Sequence, residues 1–188
     1  MSGTRVLAIG AHPDDIELGC GGTLARHVAA GDDVLMLVLT DGQSGPGEVS
    51  GRRVEARAAA EVLGADISFG GLMDGSVDPG SETVQLIERA IVELSPSVVY
   101  THGEDDSHQD HRHACAATLS AARNISTVLH YQSPSARNFH PTLFVAIGEQ
   151  ARQEQSWCAI STKSSSPRTS SPLVRSIPSL GLDDPARA

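Results

Sequence analysis

The fold is predicted by an apolar run and the polar turn that follows it, Arg5-Val6-Leu7-Ala8-Ile9-Gly10-Ala11-His12-Pro13-Asp14-Asp15. Residues Val6 to Ile9 are apolar and β-prone, which predicts a buried strand. The residues after it place one imidazole and two carboxylates on a turn at the carboxyl end of that strand. Open α/β sheets carry their binding sites at this edge, so the turn is a candidate functional site.

Short apolar runs alternate with helical stretches along the rest of the chain. We predict strands at 5–10, 33–40, 65–69, 97–101, 127–131 and 143–147, and helices at 18–30, 50–63, 81–94 and 112–122. Gly31 and Gly64 stand where helix C-termini favour glycine. Because the strands are rich in Val, Ile and Leu on both faces, we expect a mostly parallel sheet covered by helices on each side. The predicted fold class is therefore α/β, a Rossmann-like three-layer α/β/α sandwich.

The length of 188 residues fits one domain with an appended segment of a different kind. Residues 1–150 carry all the predicted helices and strands. Residues 151–188 are rich in Ser and Pro and show neither helical nor strand periodicity. Such a segment cannot bury enough apolar surface to offset its ordering entropy, so we expect an irregular or disordered tail.

Charge and cysteine content narrow the classes of partner and compartment. The 14 basic and 23 acidic residues give a net charge of −9, which disfavours nucleic acid and anionic membranes and favours a small neutral or basic substrate. The three cysteines are widely spaced, so neither a disulfide framework nor a thiolate zinc site is indicated. No apolar stretch approaches the ~18 residues of a membrane span. We expect a cytoplasmic protein, and a homo-oligomer is compatible with the sequence.

The first polar turn has the residue types of a metal site. His12 and Asp15 are three residues apart on a turn begun by Pro13, so both can face one ion while Asp14 points elsewhere. Imidazole and carboxylate are good zinc ligands, and a nearby carboxylate that does not bind the metal suits a general base. The plainer alternative is that Asp14 or Asp15 only caps the following helix.

A second polar cluster, His108-Gln109-Asp110-His111, follows another apolar run. His108 and His111 are three residues apart and would share a face if they open a helix. One can be a third metal ligand, and the other can donate to a developing oxyanion or protonate a leaving amine. Asp110 can fix the tautomer of a histidine. A surface polar cluster is the alternative, and for His102 and His113 we expect only that role.

Together these stretches resemble a known family. His12-Pro13-Asp14-Asp15, continued by Glu17 to Leu24, and His108 to His111 look like the two signature motifs of the zinc-dependent LmbE-like, or PIG-L-like, N-acetylglucosaminyl deacetylases. Asp41-Gly42, the stretch 52–64 and Asp74-Gly75 also resemble the family pattern. The resemblance covers about residues 4–147.

The resemblance implies a metal held by His12, Asp15 and His111, with Asp14 as general base. The metal of the family is zinc, with another divalent ion such as Fe²⁺ as the alternative. The family hydrolyses an N-acyl group, usually acetyl, from an amino sugar, a glycoside of one or a related small amide. The zinc polarises the amide carbonyl and a water molecule, whose proton passes to Asp14.

The resemblance also implies roles for residues around the metal. His108 would stabilise the oxyanion or help the amine to leave, and Asp110 would orient His108. Arg53 and Asp74 are candidates for contacts with substrate hydroxyl groups. Their alternatives are a surface salt bridge and a turn residue.

Other functions stay open on the sequence alone. Paired aspartates after a strand also suit a magnesium-dependent phosphoryl-handling domain. A receiver-like site of that kind needs a lysine at the end of a late strand, whereas the only lysine of this sequence is Lys163 in the tail. The two histidines also favour zinc over magnesium. A catalytically impaired metal-binding module of the same fold is a second alternative, which the atypical tail favours. Dinucleotide binding is disfavoured, since the glycines at 19, 21 and 22 do not form GxGxxG.

Overall fold

The computed structural model describes residues 3–45 and 49–148. Within these ranges five strands alternate with four helices. The elements are β1 Arg5–Gly10, α1 Asp15–Ala29, β2 Asp33–Thr40, α2 Val49–Leu63, β3 Asp66–Leu72, α3 Ser81–Leu94, β4 Val98–His102, α4 Gln109–Ala121 and β5 Thr127–Tyr131. The predicted tail at 151–188, and the boundary assigned to it, lie outside the described residues.

Two helices begin earlier than predicted. α1 begins at Asp15 instead of residue 18, and α4 begins at Gln109 instead of residue 112. The additional turns, 15–17 and 109–111, consist mostly of polar motif residues, and with Ile16 as their single apolar side chain they show no periodicity from which a helix could be predicted. Each candidate motif therefore lies at the junction of a strand-end loop and a helix N-terminus.

The predicted strand at 143–147 is wrong. Residues 141–147 form neither helix nor strand, and Leu143 and Phe144 are largely exposed. The segment adds no strand beside β5, and the carbonyl oxygen of Ala146 instead accepts a hydrogen bond of 2.5 Å from Arg26 Nη1 of α1. Without a buried face, its apolar residues lack the packing that favours a strand.

The five strands form one parallel sheet in the order β3-β2-β1-β4-β5, which confirms the predicted fold class. Leu7 of β1 pairs with Leu35 of β2 on one side and with Val99 of β4 on the other. From β1 the chain adds β2 and β3 on one side of the sheet, and it then crosses to the other side of β1 to add β4 and β5. This reversal leaves the loops after β1 and β4 side by side at the carboxyl edge, where such sheets bind ligands.

The central strands of the sheet, β2, β1 and β4, are buried on both faces. Val6 and Ala8 of β1 belong to an apolar cluster completed by α1 and α2, whereas Leu7 and Ile9 belong to a second cluster completed by α3 and α4. These four side chains of β1 are inaccessible to solvent. Helices thus cover both faces of the sheet in three layers, as the Val-, Ile- and Leu-rich strands predict. In the part of the chain that the structure describes, no helix has the length and apolarity needed to cross a bilayer.

A glycine allows α1 to approach the end of β5. A Cβ atom at Gly19 would overlap the ring of Tyr131. The hydroxyl of Tyr131 donates a hydrogen bond of 2.8 Å to the carbonyl oxygen of Ile9 in β1. The close approach of Gly19 therefore holds a buried ring against the strand that leads into the first polar turn.

We expect Gly19→Ala to lower the free energy of unfolding by about 1–3 kcal/mol, because the added methyl must displace a fixed ring. Gly51→Ala is the matched control, since Gly51 lies in a helix and a Cβ atom added there would meet nothing within 4 Å. There the substitution should stabilise by about 0.5 kcal/mol through helix propensity. Chemical denaturation measures both changes, and equal effects would contradict the packing role of Gly19.

Candidate active site

The first motif forms a strained turn. The backbone N–H of Asp15 donates to the carbonyl oxygen of His12 at 3.3 Å, and Asp14 has φ 100° and ψ −22°. This is the third position of a type II turn, which normally takes Gly or Asn, with Pro common at the second position as Pro13 is here. In residues other than Gly or Asn, this positive-φ conformation costs about 1–3 kcal/mol, and such strained residues are often found at functional sites.

Neither aspartate caps the following helix. Asp14 is at the N-cap position of α1, yet its side chain makes no capping hydrogen bond. Asp15 Oδ2 instead accepts the backbone N–H of His12 at 2.7 Å. The structure therefore does not support the capping alternative for this pair.

The carboxylate of Asp15 joins the two motifs. Its Oδ2 lies 3.2 Å from His12 Nδ1, and its Oδ1 lies 3.2 Å from His111 Nε2. All three residues are buried. The residues that the family resemblance implies as metal ligands are therefore adjacent, although His12 follows β1 and His111 lies in α4, far along the chain.

Nitrogen and oxygen donors around this carboxylate are close enough to share an ion. Within each of three overlapping sets the donor atoms lie within 4.8 Å of one another; the sets are His12, His108 and His111; Asp15, His102 and His111; and His12, Asp74 and Asp110. Imidazole mixed with carboxylate suits zinc or Fe²⁺ better than magnesium. A cation would also offset the buried negative charge, so the residues present fit a divalent metal ion.

The second nitrogen of His12 faces two further carboxylates. His12 Nε2 lies 3.1 Å from Asp74 Oδ1 and 3.3 Å from Asp110 Oδ2, and Gly75 N–H donates to the same Asp110 oxygen at 2.7 Å. Burial alone would lower the pKa of His12, but Asp15, Asp74 and Asp110 together raise that pKa to about 9. Asp74 thus contacts a predicted metal ligand.

The side chain of Asp110 faces His12 and not His108, which differs from the role that the resemblance implies. The backbone N–H of Asp110 instead donates to His108 Nδ1 at 3.2 Å, as His108 is the N-cap of α4. Burial lowers the pKa of His108, and so do the nearby imidazoles of His12 and His111. A neutral ring that accepts at Nδ1 carries its proton at Nε2. His108 therefore offers an Nε2–H donor to the site.

Arg53 does not contact the polar cluster. Its Nη1 lies 3.3 Å from Asp41 Oδ2, and its guanidinium lies 4.5 Å above the ring centre of Phe69. The preceding residue, Arg52, contacts the turn instead, donating to the carbonyl oxygen of Pro13 at 3.2 Å. Successive residues of a helix point about 100° apart, and the sequence offers no signal that selects one arginine over the other.

Asp14 lies between opposing electrostatic influences. Burial and the charge of Asp15 raise the pKa of Asp14 to about 7, whereas the guanidinium of Arg52, 3.9 Å from Asp14 Oδ2, acts in the opposite direction. Arg52 is a residue of the site that sequence reasoning missed.

Two buried residues at the end of β4 were also not assigned to the site. His102 Nε2 accepts the backbone N–H of Ala11 at 3.1 Å and lies 3.4 Å from Asp15 Oδ2, and its ring stacks on that of His111 with centres 4.0 Å apart. Asp106 Oδ2 lies 3.0 Å from His111 Nδ1. In the sequence, His102 directly follows the predicted strand at 97–101 and Asp106 comes shortly after it, and this position was the one feature that could have assigned them to the site.

A family model described as PIG-L, GlcNAc-PI de-N-acetylase, matches residues 7–122. The chain belongs to this family. It is 36% identical over 153 residues to YaiS of Escherichia coli K12, described as an uncharacterized deacetylase, and the match covers 77% of this chain and 83% of YaiS. Both motifs lie within the residues that match the PIG-L family.

Two further proteins extend the PIG-L comparison. A diacetylchitobiose deacetylase of Thermococcus kodakarensis is 36% identical over 125 residues, covering 58% of this chain and 46% of that enzyme. The chain thus spans less than half of that relative, although it spans most of YaiS. The crystal structure of the conserved protein TT1542 from Thermus thermophilus superposes with a TM-score of 0.75 at 31% identity, covering 83% of this chain and 77% of TT1542.

We expect zinc to raise the melting temperature of chelator-treated protein, because an ion bound only by the folded state stabilises it. The gain is about 2.7 kcal/mol when free zinc is at 100 times its dissociation constant. Magnesium should give a smaller shift, since imidazole ligands disfavour it. His111→Ala should abolish the zinc shift in thermal melts. A shift of equal size in His111→Ala would exclude this imidazole as a ligand.

Proposed function

We propose that this chain is a metal-dependent N-deacetylase that removes an acetyl or other small acyl group from an amino sugar, its glycoside or a related small amide. One juxtaposition carries the proposal. The Asp15 carboxylate contacts His12 and His111, while the neighbouring Asp14 is held by a strained backbone without a capping bond. A ligand cluster beside a separate carboxylate is what metal-assisted hydrolysis requires. Membership of the PIG-L family, and relatives that are named as deacetylases, support the same reaction class.

In this proposal His12, Asp15 and His111 hold the metal ion. Two imidazoles and one carboxylate favour zinc, with Fe²⁺ as the alternative. When bound, such an ion would act as a Lewis acid on the amide carbonyl and on water. His12 Nδ1 and His111 Nε2 are the nitrogens that face Asp15, so they are the donor atoms we assign.

Asp14 is assigned as the base and acid of the reaction. Its carboxylate takes a proton from the attacking water, whose oxygen adds to the carbonyl carbon of the amide. The same carboxyl group then gives the proton to the nitrogen as the carbon–nitrogen bond breaks, which leaves a free amine and acetic acid, and the acid releases its remaining proton to solvent. Asp14 Oδ2 lies 3.9 Å from Arg52 Nη2, whereas Asp15 contacts His12 and His111, so the two carboxylates can take different roles.

His108 is assigned as the donor to the oxyanion. Its Nδ1 accepts the Asp110 backbone N–H at 3.2 Å, so Nε2–H is available for the oxygen on which negative charge develops. The ring centre of His108 lies 4.7 Å from that of His12 and 4.7 Å from that of His111. The donor therefore lies beside the proposed ligands, at the N-terminus of α4.

Asp74 and Arg52 are assigned to substrate hydroxyl groups. Asp74 Oδ2 accepts the backbone N–H of Ser44 at 2.8 Å, which fixes the carboxylate at the edge of the cluster. Arg52 replaces Arg53 in this role because Arg52 alone contacts the turn. Polar groups of both signs suit a neutral sugar, and the crowding of carboxylates disfavours a phosphorylated substrate.

We expect Asp14→Asn to keep zinc and to lose roughly 10²- to 10⁴-fold in rate, because positioned proton transfer contributes that much. Asparagine tolerates positive φ, so the turn should persist. The test measures zinc content and release of free amine from N-acetylglucosamine and diacetylchitobiose, with chelated protein as control. Wild type that binds zinc but releases no amine from any N-acetylated sugar would favour the metal-binding module instead. Loss of zinc in Asp14→Asn would reverse the roles of Asp14 and Asp15.

We expect Arg52→Ala to lower kcat/KM by tenfold or more, as the loss of a charged hydrogen bond worth about 1.5–3 kcal/mol implies. Arg53→Ala is the matched control, since it removes the same charge from the neighbouring position and should change kcat/KM less than about twofold. Steady-state kinetics on the best N-acetylated sugar compares the two. Equal losses of kcat/KM in the two variants would show that the positive charge of α2, and not the contact of Arg52 with the turn, supports the reaction.

A further inference from the structure

The two nitrogens of His111 face different carboxylates. Nε2 lies 3.2 Å from Asp15 Oδ1, and Nδ1 lies 3.0 Å from Asp106 Oδ2. An imidazole that binds a metal through one nitrogen carries its proton on the other nitrogen. An ionised carboxylate can only accept, so Asp106 selects the tautomer with the proton on Nδ1. In that tautomer the lone pair of Nε2 is directed at the proposed metal position.

Asp106 is itself held rigidly. The residue is fully buried, its Oδ1 accepts the backbone N–H of His108 at 2.8 Å, and its Oδ2 also accepts the hydroxyl of Ser133. Its carbonyl oxygen accepts Arg112 Nη1 at 2.6 Å. With these contacts the carboxylate cannot turn away from His111 without leaving buried donors unpaired, which is costly.

The segment after β5 supplies Ser133 and is fixed to the loop that carries Asp106. The backbone N–H of Ser107 donates to the carbonyl oxygen of Ser135 at 3.1 Å, and that of Arg137 donates to the carbonyl oxygen of Asp105 at 2.8 Å. Asp106 and Ala136 form an isolated antiparallel bridge between the same two segments. Ser133 lies beyond residues 7–122, so the support comes from outside the part matched by the family model.

We propose that Asp106, held by Ser133, is a positioning residue that fixes the tautomer and orientation of His111 and thereby sets the affinity of the site for a divalent metal ion. The inference rests on the proposed function, because it takes His111 as a metal ligand. Without the carboxylate, the neutral hydroxyl of Ser135, 3.3 Å from Nδ1, is the remaining partner of that nitrogen. A hydroxyl can donate as well as accept, so it does not exclude the tautomer in which Nε2 is protonated and cannot bind metal.

The test compares the zinc affinity of the wild-type protein with that of three single-substitution variants of the full chain, Asp106→Asn, Ser133→Ala and Asp105→Asn. The last is the matched control, because Asp105 is adjacent and loses the same charge, yet it is half-exposed. Its Oδ2 accepts Asn138 Nδ2 at 2.8 Å, and its Oδ1 lies 3.8 Å from Arg137 Nε. Apo protein is titrated with zinc against a chromophoric chelator of known affinity. Cobalt(II) in place of zinc reports ligand geometry through its visible absorption, and apo thermal melts report folding.

We expect Asp106→Asn to weaken zinc binding on the order of 10- to 100-fold, as loss of a carboxylate behind a metal-binding histidine does. The amide that replaces the Asp106 carboxylate has one accepting oxygen and one donating NH₂ group. The NH₂ group must therefore face another donor, which is either the backbone N–H of His108 or the hydroxyl of Ser133 and the Nδ1–H of His111. Ser133→Ala should weaken binding in the same direction by less than about tenfold, since it removes one neutral hydrogen bond. Asp105→Asn should stay within about twofold of wild type. The cobalt spectrum should change in Asp106→Asn and not in Asp105→Asn.

Folded Asp106→Asn protein with wild-type zinc affinity and cobalt spectrum would overturn the inference and leave the proposed function intact. Equal weakening in Asp105→Asn would also overturn it, because the effect would then be one of charge alone. If Asp106→Asn does not fold, Ser133→Ala decides, and unchanged affinity in that variant counts against the inference. Wild type that binds neither zinc nor cobalt would instead overturn the proposed function, and this inference with it.

Discussion

The parallel pairing of β1 with β4 is the constraint on which the site depends. Because β4 returns to the free side of β1, the loops that follow these two strands are neighbours at one edge of the sheet. β1 pairs with β4 in parallel, Leu7 opposite Val99, and the burial of β1 on both faces stabilises that pairing. The contact of Asp15 with His111 follows from this register and from the two helices that begin immediately after the loops.

The polar cluster is ordered by carboxylates from several parts of the fold. His12 lies between Asp15 and the pair Asp74 and Asp110, while His111 lies between Asp15 and Asp106. Each imidazole therefore has one nitrogen facing the shared Asp15 carboxylate and the other facing a different carboxylate, that of Asp74 or Asp110 for His12 and that of Asp106 for His111. Such buried polar groups are tolerated only when they are paired, and the positive φ of the first turn adds a further cost. The apolar sheet beneath the site stabilises an arrangement that the polar residues alone would not hold.

Much of the fold and the centre of the site were predictable from local sequence. The strands at 5–10, 33–40 and 127–131 were predicted with the bounds observed. The first two are buried on both faces, and such parallel strands leave a clear signal because they are apolar throughout. The spacing of His12 and Asp15 lies within one turn of the chain, so their contact is set by residues that are close in sequence. The apolar run at 143–147 failed as a predictor, since nothing in its composition reveals that its side chains remain exposed.

The sequence by itself determined the parallel α/β class and the two polar motifs, because periodicity and turn chemistry are local properties of the chain. Tertiary structure alone decided which residues meet. Strand order set the approach of His111 to Asp15, helix rotation placed Arg52 and not Arg53 at the turn, and the segment after β5 brought Ser133 to Asp106. These contacts join residues far apart in the chain or depend on a difference of one helical position, and neither leaves a mark in a single sequence.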